Sequence, residues 1–254
     1  MNNQLKITRP ARFASALAGF LLVASAVSSL GQILPPSSLP YGYSYEEWSA
    51  KWWQFFLGQS TNHLESIGDP GICRGPASRV RFLSPPPGGG IVTRKAIIPG
   101  GTPLFFPILA FAADNTACPV TAFSSLTADQ LAVLAEGGWN SAATLTTCTI
   151  DGVAVPGLED PTNSIYNVVS PAFSYTTAEF GNDLALIEGE PCIPGSLTIY
   201  PAVADGDYLM IAPLAPGKHT IHFVGIAGPL ATPFLEFDIT YQILVVPDFD
   251  RDDR

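Results

Sequence analysis

The chain has 254 residues, 12 basic against 22 acidic, for a formal net charge of −10, and it carries 24 prolines and 23 glycines. An acidic surplus of this size repels nucleic acid and anionic membrane surfaces, and leaves cations, neutral glycans or proteins as partners. The prolines and glycines are spread through turn-like stretches, which excludes a low-complexity linker, and there is no internal repeat.

At the N-terminus, Lys6, Arg9 and Arg12 precede an apolar run from Phe13 to Val27, and the small residues Ser29 and Gly31 suit cleavage before Gln32. The alternative is an uncleaved anchor, since the apolar stretch can be extended to Leu34, about the length of a spanning helix. Ser25, Ser28, Ser29, Gly31 and Pro35-Pro36 make a poor end to such a helix. Residues 1–31 are therefore expected to be a cleaved signal peptide, the protein to be exported to the periplasm or the medium, and no stable membrane anchor to remain. Removing them leaves 9 basic and 22 acidic residues, or −13, in a chain long enough for one β-sandwich-sized domain.

Residues 32–43 read as an extended lead-in, and 44–246 as a single domain. Ser44 and Glu47 form a capping box that opens a helix, Glu47 and Lys51 stand at i,i+4, and Gly58 offers a left-handed stop. Tyr45, Trp48, Trp52, Phe55 and Phe56 recur at helical spacing. Such a stripe fits a helix that closes a sheet by burying large rings. Trp53 lies to its side and is the one ring expected to face outward, where it could stack on a sugar.

Arg79–Ser84 reads as a strand stopped by Pro85-Pro86-Pro87-Gly88, and Ile91–Ile98 as another. If these two paired as a hairpin, Arg79 and Arg81 would share a face, with Arg94 opposite or alongside. Leu104–Phe111 is almost continuously apolar, as in a strand buried on both faces. Thr127 and Gln130 open a second helix with Leu131, Leu134 and Ala135 as its apolar face and Gly137-Gly138 as its end. Further strands are expected at 145–150, 153–155, 165–169, 172–175 and 196–200. Asp205-Gly206 reads as a turn, followed by strands at 208–212, 218–224 and 235–246. That makes about ten strands at sandwich-like spacing. The fold expected is a mainly β, single antiparallel β-sandwich with an N-terminal aromatic helix and one short mid-chain helix. Residues 247–254 form an acidic tail; it resembles the opening of a calcium loop but lacks the sixth-position Gly.

Cys73, Cys118, Cys148 and Cys192 are even in number, and an oxidising destination makes two disulfides the expectation. Of three possible pairings, Cys118–Cys148 with Cys73–Cys192 is favoured, because the first pair would bracket one helix. Their spacing matches no zinc pattern and no Cys-x-x-Cys occurs, so no metal or cofactor is implied.

Catalytic signatures are sparse. There is no nucleophile elbow, phosphate loop or His-Glu-x-x-His motif. His219 and His222 fall in one strand at i,i+3, which sends them to opposite faces; His63 lies in a loop. Glu188/Glu190 and Asp205/Asp207 read as solvated acids in turn-rich stretches. An enzyme would have to gather His219 or His222 with Arg94 and a tyrosine such as Tyr200 or Tyr208 in one cleft.

The order Tyr45-x-x-Trp48, Trp52-Trp53-Gln54, Asp69-x-Gly71-x-Cys73, Arg79-Val80-x-Phe82-Leu83, Arg94, Pro99-x-Gly101 and Phe105-Phe106-Pro107-Ile108 resembles uncharacterised exported bacterial proteins. Asp151-Gly152, Ser170-Pro171, Asp205-Gly206 and Leu214-x-Pro216-Gly217-x-His219-x-Ile221-His222-Phe223 extend the resemblance over most of the mature chain. It implies export and one domain but no activity; such proteins often carry Cys where Ala96 stands here, which leaves the partner of Cys73 open. The function expected is that of a non-enzymatic exported protein that binds a ligand or surface, with a glycan as one ligand class. A secreted polysaccharide hydrolase or lyase, or a structural envelope protein, are the alternatives.

Overall fold

The computed structural model describes residues 32–60, 80–117, 119–181 and 193–247. The expected signal peptide and, beyond Pro247, the acidic tail lie outside these residues, as do Cys73, Cys118, Cys192, His63, Arg79 and Glu188/Glu190.

The apolar run beginning at Leu104 sets the architecture. It forms β4 (Leu104–Asp114), and every side chain from Leu104 to Leu109 is buried. Side chains alternate along a strand, so continuous burial requires cover on both faces. Phe105 packs against Tyr45 and Trp48, whereas Phe106 stacks on Phe223. The first pair belongs to α1 (Tyr45–Gly58) and Phe223 to β10 (Gly217–Ala227). The order of layers is therefore helix, first sheet, second sheet.

The first sheet is centred on β4 and β9 (Thr198–Ile211), paired antiparallel along nearly their whole length. β1 (Ile33–Leu34), β7 (Asn167–Val169) and β8 (Phe173–Thr176) line up along the other edge of β9. β2 (Arg81–Phe82) pairs with Leu104 and Phe105 of β4. The second sheet runs β3 (Gly90–Pro99), β11 (Leu235–Val246), β10, β5 (Ala143–Ile150) and β6 (Val153–Ala154). The protein is thus mainly β, a sandwich of eleven strands in two sheets among the described residues. Most pairings are antiparallel, but β2 with β4 and β3 with β11 are parallel. β2 and β3 consequently belong to different sheets, and the hairpin considered for 79–84 and 91–98 does not form.

Both capping boxes form. Ser44 Oγ accepts from the Glu47 amide and the Glu47 carboxylate accepts from the Ser44 amide; Thr127 and Gln130 do the same. Glu47 serves the cap, while the Lys51 ammonium sits 4.1 Å from the centre of the Tyr43 ring. Gly58 is the last helical residue rather than a left-handed stop, and the chain leaves through an extended Gln59. The second helix, α2 (Ala128–Ala142), runs through Gly137-Gly138. Leu131, Ala135 and Trp139, each four apart, form its buried stripe, with Leu134 facing out. Trp139 closes the end of the inter-sheet layer against Leu109, Phe111 and Ala227, and its indole donates to the Pro161 carbonyl. Burial of that ring carries the helix past two poor helix formers.

The largest correction concerns Asp205-Gly206. No turn occurs there; β9 continues straight through. Gly206 faces Ala110 of β4 so closely that an added Cβ would collide with it. The glycine answers a close strand approach rather than a turn.

Candidate functional site

Beyond Phe105, β4 loses β2 as its neighbour. Leu83 makes the last ladder bond, its amide donating to the Phe105 carbonyl, and the chain then leaves through Pro85-Pro86-Pro87. Proline offers no donor to a ladder, so the run ends the pairing. The edge of β4 from Pro107 to Asp114 becomes the floor of a groove of about 570 Å³. One wall is the C-terminal half of α1, with Trp52, Trp53, Phe56 and Leu57. The other is Phe234, Leu235 and Phe237 at the start of β11, and Pro85–Gly88 closes one end. The volume falls within the roughly 300–1,000 Å³ typical of ligand sites.

Trp53 is buried, at 8% exposure, rather than facing out. Its indole donates to the Tyr208 hydroxyl at 2.7 Å, and Tyr208 in turn stacks on Phe105. Trp52 donates to the Leu83 carbonyl and stacks on Phe56. The aromatic wall is thus held by polar anchors at its back and presents ring carbon to the groove. The exposed ring at the rim is Phe234, at 68%. At the far end Asp114 accepts from the amide and hydroxyl of Thr116 and from the Tyr175 hydroxyl.

A second polar cluster lies inside the sandwich. Asp205 and Asp207 share the inner face of β9 and are almost wholly buried, not solvated as their sequence context suggests. Asn167 donates to Asp205, and the Thr146 hydroxyl lies 2.7 Å from Oδ2 of Asp207. Oδ1 of Asp207 has no hydrogen-bond partner. Burial pushes Asp207 up to about 7, with Asp205 adding to the rise. Burial likewise lifts Asp205 to about 6, with Glu136 adding to it. The pair holds protons that ordinary carboxyls would release. The pair lies between the two sheets, where Asp207 links β9 to Thr146 of β5.

The other sequence candidates are dispersed. His219 bridges the 151–152 turn and the 212–217 loop: Nδ1 lies 2.7 Å from Asp151 and Nε2 2.8 Å from the Ala215 carbonyl. Asp151 also accepts from the Thr220 amide. His222 is on the opposite, outer face of the second sheet, 2.8 Å from Asp238. Arg94 turns inward, donating to the Ser84 carbonyl and to the Tyr241 hydroxyl. Tyr208 is on the α1 side of the first sheet, and Tyr200 is exposed. These groups do not share a cleft. Cys148 carries a free thiol inside the sandwich, on the inner face of β5, and burial raises its pKa. No group of three or more metal-ligating side chains occurs among the described residues.

The groove was not legible as such, although its parts were. The triple proline and the apolar 104–111 run are conspicuous, but their juxtaposition with Phe234 depends on the sheet topology.

No family model and no curated protein matches the chain. Among solved structures, the solution structure of amebosin is similar at 11% identity and a TM-score of 0.19, over 62% of this chain and all of that one. A family 123 glycoside hydrolase from Clostridium perfringens is similar at 13% identity and a TM-score of 0.21, over 61% of this chain and 23% of the hydrolase. Likeness this slight carries no argument about fold or activity.

Proposed function

We propose that this is an exported, non-enzymatic binding protein whose ligand lies in the groove along the free edge of β4. The observation that carries the reading is the groove itself: an apolar cleft of ligand size, walled by anchored aromatic rings, with His219, His222 and Arg94 engaged in contacts elsewhere. Apolar lining with few polar groups suits an apolar or amphipathic ligand better than a flat glycan surface, because Trp53 turns its polar edge away from the groove. No helix among the described residues is long and apolar enough to cross a membrane. Export to the periplasm or medium rests on the N-terminal pattern Lys6 to Gly31.

The test is titration with Nile red, a neutral apolar dye. Ala112 is exposed on β4 and borders the groove, so Ala112→Trp fills the cleft without disturbing the core. Saturable dye binding by the native protein and at least tenfold weaker binding by Ala112→Trp is expected. Equal binding by both would remove the groove as the site.

A further inference from the structure

We propose that the groove takes its ligand as an added β-strand: an extended, neutral to cationic peptide segment of a partner protein that pairs with β4 between Pro107 and Asp114. This rests on the groove being the binding site and names the class of ligand.

The floor is backbone. Every residue from Pro107 to Asp114 borders the groove, as expected where a strand is approached along its edge. β9 pairs with β4 along its other edge as far as Asp114, and β2 pairs with it at Leu104 and Phe105. From Phe106 onward the second edge has no partner strand among the described residues. Alternate residues of a strand direct their N–H and C=O groups to each side, so this edge presents a row of donors and acceptors to the groove. A fatty or aromatic ligand would leave those groups unpaired in an apolar cleft; an extended peptide pairs with them.

The walls fit the same ligand. Successive side chains of an added strand point to opposite faces. One set would meet Trp53, Phe56 and Leu57 of α1, and the other Leu235 and Phe237. Eight residues at about 3.3 Å each give a run of roughly 26 Å, room for a segment of about six to eight residues.

Charge selects further. Asp114 is the only ionisable side chain among the described residues that borders the groove, and the chain carries −10 overall. Among the described residues an anionic amphiphile would meet a carboxylate and no cation, whereas a neutral or basic peptide is complementary. The devices that keep strands from pairing stand only at the two ends of this edge, Pro107 with the bulge beside it and Asp114. The free edge strand of the second sheet, β3, has Lys95 at mid-strand and ends on Pro99; Ile108–Ala113 of β4 has neither charge nor proline. An unguarded apolar edge is an aggregation hazard unless pairing there is its use.

A phage library displaying random octapeptides, selected on the full folded protein, supplies the probe. Selected sequences should alternate apolar residues, carry neutral or positive net charge, and bind at least tenfold more weakly to Ala112→Trp and to Phe234→Ser, whose ring is already mostly exposed. The best peptide, resynthesised with alternate residues N-methylated in each of the two registers, should lose at least tenfold affinity in one register. A selection that returns no binder, or affinity unchanged by N-methylation in both registers, overturns the strand proposal. If peptides fail while Nile red still binds in an Ala112→Trp-sensitive way, the groove stands and only the ligand class falls. If neither binds, both fall.

Discussion

The indole N–H of Trp53 donates to the hydroxyl of Tyr208 across 2.7 Å, in a setting closed to water, and so ties α1 to the central strand of the first sheet. Trp53→Phe would leave the Tyr208 hydroxyl buried without its donor. A loss of about 1–3 kcal/mol is expected in urea unfolding. Tyr208→Phe should cost a similar amount, and the double variant much less than the sum, because removing both partners of a buried bond relieves the unsatisfied group.

Asp205 and Asp207 make stability fall as pH rises. Their folded values, about 6 and about 7, lie above the ordinary 3.8. Between about pH 4 and pH 7 the folded state therefore holds more protons than the unfolded state. The stabilisation is full below pH 4 and is lost as pH rises through 6 and 7. A decline of about 5 kcal/mol from pH 4.5 to pH 8 is expected in denaturant titrations. Asp207→Asn, neutral at all these values, should flatten the profile. A flat profile over this range would show that the carboxyls ionise freely.

Gly137 and Gly138 lie inside α2 with open space where a Cβ would go. Replacing either by Ala should stabilise the protein by about 0.5–1 kcal/mol, measured as a raised urea midpoint with an unchanged slope. Trp139→Ala, by contrast, should cost about 3–5 kcal/mol, since that ring is the end plug of the inter-sheet layer.

At Gly225 the two sheets approach closely: a Cβ there would run into the Ile108 carbonyl and the Leu109 side chain. Gly225→Ala should destabilise by about 2 kcal/mol or more, because neither sheet can retreat without loosening the core between them. Gly217→Ala meets no atom but stands at φ +140°, so its smaller penalty would be conformational.

Much of this frame is readable in the residues. Ser44 with Glu47 and Thr127 with Gln130 announce their helices because a capping box is a local arrangement, independent of the rest of the fold. The run from Leu104 announces a doubly covered strand because burial on both faces removes the alternation. Asp151-Gly152 delivers the hairpin turn, with both residues at positive φ. The readings that failed depend on partners far away in the chain. Asp205-Gly206-Asp207 looks like a turn until Ala110 is placed opposite Gly206 and Thr146 beside Asp207. Gly137-Gly138 looks like a helix end until Trp139 is seen to need burial. Trp53 looks free until Tyr208, 155 residues on, accepts a hydrogen bond from its indole N–H. The groove was hidden for the same reason: its two walls come from Trp52–Leu57 and Phe234–Phe237, and only the sheet order brings them to one edge of β4.

Photolabelling with a small uncharged aryl diazirine tests the central claim most directly, because it reports where an apolar ligand sits without assuming its identity. After photolysis and peptide mapping, label should concentrate on Trp52–Leu57, Pro85–Gly88 and Phe234–Phe237, and should fall when Ala112→Trp fills the groove. Label gathered instead on the exposed Val133 and Leu134 of α2, or on the groove residues undiminished in Ala112→Trp, would contradict it.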